Sequence, residues 1–201
     1  MATDLGLVAI VEDALSAAVI ERLVRHINPA RQFSLPIDPL RGITKIRAGM
    51  TKYLNASYVI PHVVLVDLDQ QTCAPSLLAQ WGLNALPPRL LFRVAVRETE
   101  SWLLADRAGF AKFASIPVVK VPTNPELEPD PKRSLINLVR GSRRKRLVAE
   151  LVPPTGSRVS MGPLYNEVLG EFVRTQWQVN NAMENAPSLA KAVLRLQAFL
   201  R

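Results

Sequence analysis

The sequence predicts an α/β protein: an open, mainly parallel sheet flanked by helices, followed by a basic, helical C-terminal extension. Three observations carry that reading. Short, uninterrupted apolar runs alternate with longer amphipathic stretches, the pattern of strands buried on both faces of a parallel sheet. Prolines at 117, 122, 125, 129 and 131 then interrupt the alternation. Beyond them the charge changes. Residues 1–131 hold 13 basic and 13 acidic side chains, and residues 132–201 hold 12 and 4, so the whole formal charge of +8 lies in the last third.

Each element follows from its local pattern. Leu5–Val11 is an apolar run of strand length; Glu12 and Asp13 follow it, and then Leu15, Val19, Leu23 and Ile27 recur at helical spacing until Pro29 closes the unit. Gln32–Ile37 predicts a shorter strand and Gly42–Leu54 a helix. Val63–Val66 is again uniformly apolar and runs into Asp67-Leu68-Asp69. A helix over about Pro75–Leu86 is stopped by Pro87 and Pro88, and Leu90–Val96 is a third apolar strand, delivering Glu98 and Glu100. Glu98–Phe113 reads as helix and Val118–Val121 as a short strand. The acidic connector, residues 122–131, has too much proline for a helix and reads as extended and stiff. It divides an α/β domain, residues 1–121, from the extension, residues 132–201, where Lys132–Arg146, Pro163–Val173 and Ser188–Leu200 read as helices.

Composition narrows the function classes. Apolar residues at 48% and charged residues at 21% exclude wholesale disorder. No apolar run approaches the ~18 residues that span a bilayer, and acidic residues stand where a signal peptide needs basic ones. A cytoplasmic protein with no membrane partner is expected. One cysteine, Cys73, and two histidines exclude a disulfide framework and a multi-cysteine zinc site. His26 and His62 read as structural, and Cys73 as a small buried hydrophobe, since no base is identifiable for it. Neither a phosphate loop nor a dinucleotide glycine fingerprint is present.

The chemistry is suggested by where the carboxylates fall. Functional groups of open α/β sheets gather at the carboxyl ends of strands, and here Glu12, the Asp67/Asp69 pair, and Glu98 with Glu100 follow three successive apolar strands. If those strands are neighbours, the five acids converge, repel one another and call for a cation. Hard oxygen donors without soft ligands favour Mg²⁺ or Mn²⁺. Asp67 and Asp69, two apart on a strand end, would point to one side. Each motif also has a plainer reading: Glu12-Asp13 and Glu98/Glu100 as acidic helix starts, and Asp67-Leu68-Asp69 as a capping turn. Trp102, Leu103 and Leu104 read as core rather than as a base-stacking platform. Arg143, Arg144, Lys145 and Arg146 are candidates for nucleic-acid phosphates, or a solvated helix end favouring cations. Arg93 and Arg97 flank the acids, either as a phosphate clamp or as partners of those acids.

Val11-Glu12-Asp13-Ala14-Leu15-Ser16 and Leu65-Val66-Asp67-Leu68-Asp69 resemble the two acidic motifs of the Toprim domain, found in topoisomerases, primases, recombination proteins and nucleases of the overcoming-lysogenization-defect group. That resemblance covers about residues 1–110. Arg93–Asp106, Asp130-Pro131-Lys132, Gly162–Tyr165 and the helix start at Pro187-Ser188-Leu189 are similar to segments of an uncharacterised bacterial Toprim-like family, which extends the likeness over nearly the whole chain. The resemblance implies that Glu12 is the general acid/base, that Asp67 and Asp69 hold Mg²⁺, and that Glu98 and Glu100 complete a second metal position. It also implies Lys132 near the site, a separately encoded ATPase partner, and a role in defence against foreign DNA. Asp13 stands where that family carries a glycine, and no topoisomerase tyrosine signature is present.

The expected function is therefore metal-dependent phosphodiester hydrolysis on DNA or RNA. One alternative is a phospho-receiver-like signalling module, whose pattern Glu12, Asp13, Asp67 and Lys120-Val121-Pro122 loosely imitate. Another is a non-catalytic nucleic-acid-binding adaptor that uses only the basic tail.

Overall fold

A computed structural model describes residues 6–29, 37–39 and 42–201. Strands β1 (Val8–Val11), β2 (Ile37–Pro39), β3 (His62–Asp67) and β4 (Leu90–Ala95) form one parallel sheet in the order β2-β1-β3-β4. The α/β class and the open parallel sheet are thus as the apolar runs predict. The strand expected over 32–37 falls mostly outside the described residues; β2 starts at Ile37. Ala9 stands beside Val63, and Val63 beside Leu91, in a register that ends with Asp67 beside Ala95. The chain leaves β1 toward β2 on one side and returns past it to β3 on the other. The strand order therefore reverses between β1 and β3, and open sheets form a crevice outside the strand ends at such a point.

Helices cover both faces: α1 (Ala14–Ile27), α2 (Ile43–Ala56), α3 (Ala74–Gln80), α4 (Thr99–Ala105), α5 (Arg107–Ala114), α6 (Pro131–Arg140), α7 (Lys145–Leu151), α8 (Tyr165–Thr175), α9 (Val179–Asn185) and α10 (Pro187–Phe199). Strand side chains alternate between them. Ile10, Val64, Val66, Phe92 and Val94 pack with Ile46 and Met50 of α2 and Leu77 of α3. Ala9, Val11, Val63 and Leu65 join a much larger cluster with α1, α4 and the C-terminal helices, including Leu169 and Phe172 of α8 and Leu196 of α10. Residues after the connector therefore share one continuous core with the sheet. Trp102 and Trp177 are fully buried in it, and the Trp177 indole donates to the Trp102 carbonyl at 3.2 Å. Trp102 is core, as its sequence context predicts.

Four local expectations need correction. Val118–Lys120 is a 3₁₀ turn rather than a strand: it lies between Pro117 and Pro122, Val121 N–H bonds the Val118 carbonyl at 3.0 Å, and Val119 is 82% exposed. The helix expected over Glu98–Phe113 breaks at Asp106. The buried Asp106 carboxylate accepts the Gly109 N–H that opens α5 and, from across the core, the Gln178 N–H at 2.8 Å. A Cβ at Gly109 would lie 2.0 Å from Asp106 Oδ2, so only glycine allows that cap. The helix expected over Lys132–Arg146 ends at Arg140, with Gly141 as its cap. Arg143 to Arg146 consequently stand in the turn that opens α7, not at a helix C-terminus where the dipole would favour them. The helix expected to reach Leu86 stops at Gln80, ahead of Gly82 at φ +71°. The proline-rich connector itself contains a 3₁₀ turn at Pro125–Leu127, and its Glu126 carboxylate accepts the Ser188 N–H and hydroxyl at the start of α10. Helix α9, Val-Asn-Asn-Ala-Met-Glu-Asn, is too short and polar to signal itself by periodicity. Among the described residues no helix is long and apolar enough to cross a membrane.

Candidate functional site

The carboxyl ends of β1 and β3 open a cleft of about 510 Å³ lined by Glu12, Asp13, Asp67, Asp69 and Lys132, with Met161 and Asn166 arriving from the C-terminal region. Glu12 sits immediately past β1, and its Oε1 accepts the Asp67 backbone N–H at 2.8 Å across the switch point. Asp67 ends β3, and its Oδ1 accepts both the N–H and the hydroxyl of Thr99, each at 2.9 Å. Thr99 opens α4, so the strand ends of β1 and β3 and the segment after β4 are joined by one chain of hydrogen bonds. Asp13 caps α1 by accepting the Ser16 N–H at 2.8 Å. Its backbone is extended, with φ −151°, so nothing at that position requires the glycine of the Toprim motif.

Asp69 reaches the cleft by a different route from the one its spacing suggests. β3 stops at Asp67, and Asp69 lies in a turn with φ +49°, a left-handed conformation that Asp tolerates better than most residues. Its N–H donates to the Arg97 carbonyl at 2.9 Å. In return the Arg97 guanidinium donates to the carbonyls of Asp69 and Gln71 at 3.1 and 3.0 Å. Arg97 therefore braces this turn rather than presenting a free clamp. Arg93 lies away from the cleft, lining a small cavity beside Ser188 and Lys191 of α10. Its Nε is buried without a partner, and burial with the nearby Arg195 lowers its pKa.

Glu98 and Glu100 do not line the cleft with the other acids. Glu100 is 2% exposed; its Oε1 accepts the Tyr165 hydroxyl at 2.9 Å and faces Lys132 Nζ at 3.5 Å. Glu98 Oε2 accepts the Lys132 backbone N–H at 2.8 Å. Lys132 is thus near the acids, as the resemblance implied. Tyr165, which the sequence placed in a family-like segment but gave no role, is the second group holding Glu100. A tyrosine near the start of a helical pattern gives no signal of its own.

The electrostatics follow from burial. Burial pushes Glu12 up to about 7, partly opposed by the Asp67 N–H, with Asp69 and Asp13 adding to the rise. Asp67 is raised well above the usual carboxylate range by burial and then by Glu100 and Glu12. Burial and then Glu100 raise Glu98 to about 6, and burial also raises Glu100. Lys132 is raised by Glu100, Glu98 and Asp67, which outweigh its burial, and stays cationic. Among the described residues no salt bridge reaches Glu12, Asp67 or Asp69.

The donor chemistry suits a hard divalent ion: the cleft offers carboxylate oxygens and neither thiolate nor imidazole. Among the described residues no group of three or more His, Cys, Asp or Glu side chains is arranged to hold an ion by itself. Mg²⁺ does not require that, since it usually keeps several waters and takes one or two carboxylates plus substrate phosphate oxygens.

The remaining candidates fall elsewhere. The Arg144 guanidinium donates to the Phe113 carbonyl at 2.8 Å and lies over the Phe113 ring, and Arg146 pairs with Glu150 at 2.6 Å. Lys120 and Pro122 line a separate cavity with Ser134, so the lysine of the receiver-like pattern is not at the acidic cleft. The buried His62 ring bonds the Ile60 carbonyl at 2.6 Å, a structural role. Cys73 is half-buried rather than buried, and its thiol donates to Ser76 Oγ at 3.5 Å. In comparisons with known proteins, no family model, no curated protein and no solved structure matches this chain.

Proposed function

We propose that this protein is a metal-dependent phosphodiesterase acting on nucleic acid, with its site in the cleft between the ends of β1 and β3. The observation that carries the reading is the gathering of Glu12, Asp67 and Asp69 at the switch point with their negative charge unpaired by any salt bridge among the described residues. Such a cluster is held at a cost in repulsion and desolvation, and perturbed carboxylates in an open crevice mark functional sites more often than structural ones. The resemblance of the Glu12 and Asp67-Leu68-Asp69 motifs to the Toprim domain points the same way.

Asp67 and Asp69 would hold the ion, with Thr99 fixing the orientation of Asp67 through its two hydrogen bonds. Bound there, Mg²⁺ or Mn²⁺ polarises a phosphoryl oxygen and lowers the pKa of attacking water. Glu12, raised to about 7, is matched to accept a proton near neutral pH. Lys132 places a fixed positive charge on the cleft wall for substrate phosphate. The oxygen of Glu100 that faces the cation is already engaged by Tyr165 and Lys132, so the proposal needs one ion site and not two.

The test is cleavage of DNA and RNA by the purified protein with Mn²⁺ or Mg²⁺. Glu12→Gln and Asp67→Asn are each expected to lower the rate at least about 100-fold. Intact nucleic acid with the wild-type protein, or variants that cut as well as it does, would refute hydrolysis. Binding in EDTA together with no cleavage once Mn²⁺ or Mg²⁺ is added would favour the adaptor reading instead.

A further inference from the structure

A nuclease cleft needs a path for its substrate, and the most basic run in the sequence does not lead to it. Arg144 and Arg146 are engaged with Phe113 and Glu150, and they line an enclosure of about 370 Å³ between α7 and α8 that Lys132 does not reach. Helix α6 is different. Lys132, Arg133 and Arg140 line a groove of about 790 Å³, and Lys132 also lines the acidic cleft, so the two spaces border the same residue. Arg133, Asn137 and Arg140 recur along one stripe of α6, and all three are exposed. Asp130, the one carboxylate in the groove lining, is engaged as the cap of α6, accepting the Arg133 N–H at 2.8 Å.

The opposite wall is the segment between α7 and α8, where Val152, Pro153, Pro154 and Val159 give apolar surface and Thr155, Gly156, Ser157 and Ser160 give small polar or bare backbone surface. That segment is pinned where it closes: Gly162 N–H bonds the Leu151 carbonyl at 3.0 Å and Leu164 N–H the Glu150 carbonyl at 3.1 Å. A Cβ at Gly162 would lie 2.4 Å from the Glu150 carbonyl oxygen, so the close approach requires glycine. The same segment then supplies Met161 to the acidic cleft.

We infer that the groove between α6 and the 152–160 segment is the track of a single nucleic-acid strand leading into the acidic cleft, with Arg133 and Arg140 on backbone phosphates and the valine–proline wall against base faces. This rests on the function proposed above. A basic wall facing one that offers valine and proline surface among small polar groups suits a single strand, whose charged backbone and exposed bases lie on opposite sides. A duplex hides its base faces and would gain nothing from that valine and proline surface.

The test uses a labelled, mixed-sequence DNA strand of about 20 nucleotides, titrated against the full-length protein in EDTA so that no cleavage contributes. The double variant R133A/R140A is expected to weaken binding about tenfold at low salt. It should also flatten the plot of log affinity against log salt by about 1.4, because two phosphates would no longer be neutralised by arginine. R143A/K145A is expected to change affinity less than about twofold, and the matching duplex to bind the wild type more weakly than the strand. All four residues are exposed, so thermal unfolding should be unchanged in both variants. The track is overturned if the wild type does not bind the strand, if R133A/R140A binds within twofold of it, if R143A/K145A loses as much, or if the duplex binds at least as tightly. Because this readout is taken without metal, cleavage that ignores Arg133 and Arg140 would overturn the track and leave hydrolysis standing.

Discussion

Glu12 with Asp67 and Glu98 with Glu100 look alike in the sequence: acids at or just past the ends of apolar strands. The fold treats them differently. Glu100 is completely enclosed, and Tyr165 and Lys132 both approach its Oε1, while the Lys132 backbone N–H takes Glu98. Glu12 and Asp67 have hydrogen bonds from backbone and Thr99 but, among the described residues, no salt bridge, and they face an open cleft. A buried carboxylate with its own cation is part of the framework, because removing either partner leaves an uncompensated charge. A carboxylate cluster without one is where the proposed ion would find its ligands.

Three substitutions break or sharpen that contrast. Lys132→Met should have the largest effect, because it strips Glu100 of its cation inside the core. Destabilisation of about 3 kcal/mol is expected, read as a fall in Tm of roughly 6–12 °C. If the two pairs were equivalent, this variant would be close to neutral.

Glu12→Gln should act in the opposite direction. Glu12 titrates near its ordinary value of 4.5 when unfolded and near 7 when folded. Between those values the folded protein binds more protons than the unfolded chain, so stability falls as pH rises from about 4.5 to 7 and then levels off. Glu98, raised to about 6, adds to the lower part of that fall. Without divalent metal, Glu12→Gln should be more stable than the wild type by about 2 kcal/mol at pH 8 and about equal to it near pH 4. Denaturant titrations in EDTA at the two pH values measure this. Equal stability at pH 8 would mean that the Glu12 carboxylate is already compensated.

The smallest of the three is Tyr165→Phe. It removes the hydroxyl from the enclosed Glu100 while Lys132 remains, and should cost about 1–2 kcal/mol. A loss as large as that of Lys132→Met would show that the hydrogen bond, and not the cation, holds Glu100.

Much of this was legible in the chain. The largely apolar runs at 5–11, 63–66 and 90–96 ask for strands covered on both faces, as β1, β3 and β4 are, and their parallel pairing follows from the helices between them. The gathering of Glu12, Asp67 and Asp69 was legible for the same reason, since adjacent parallel strands deliver their ends to one edge. Val118–Val121 misled because three valines and a lysine between two prolines suit a strand or a 3₁₀ turn equally by composition. The basic run Arg143 to Arg146 was legible, but that Arg144 would meet Phe113 and Arg146 would meet Glu150 was not, because a run of charge says nothing about which neighbours will take it up.

The order of apolar and polar residues by itself determined the class of the protein, its helix and strand alternation, and the acids placed at the strand ends, because those depend on local burial periodicity. Only the tertiary structure decided which acids received a cation. Lys132 and Tyr165 lie 32 and 65 residues beyond Glu100 in the sequence, and no local rule links positions so far apart. Their meeting is set by how α6 and α8 pack beside the sheet, and with it the division between the enclosed Glu100 with its cation and an open cleft lined by Glu12, Asp67 and Asp69.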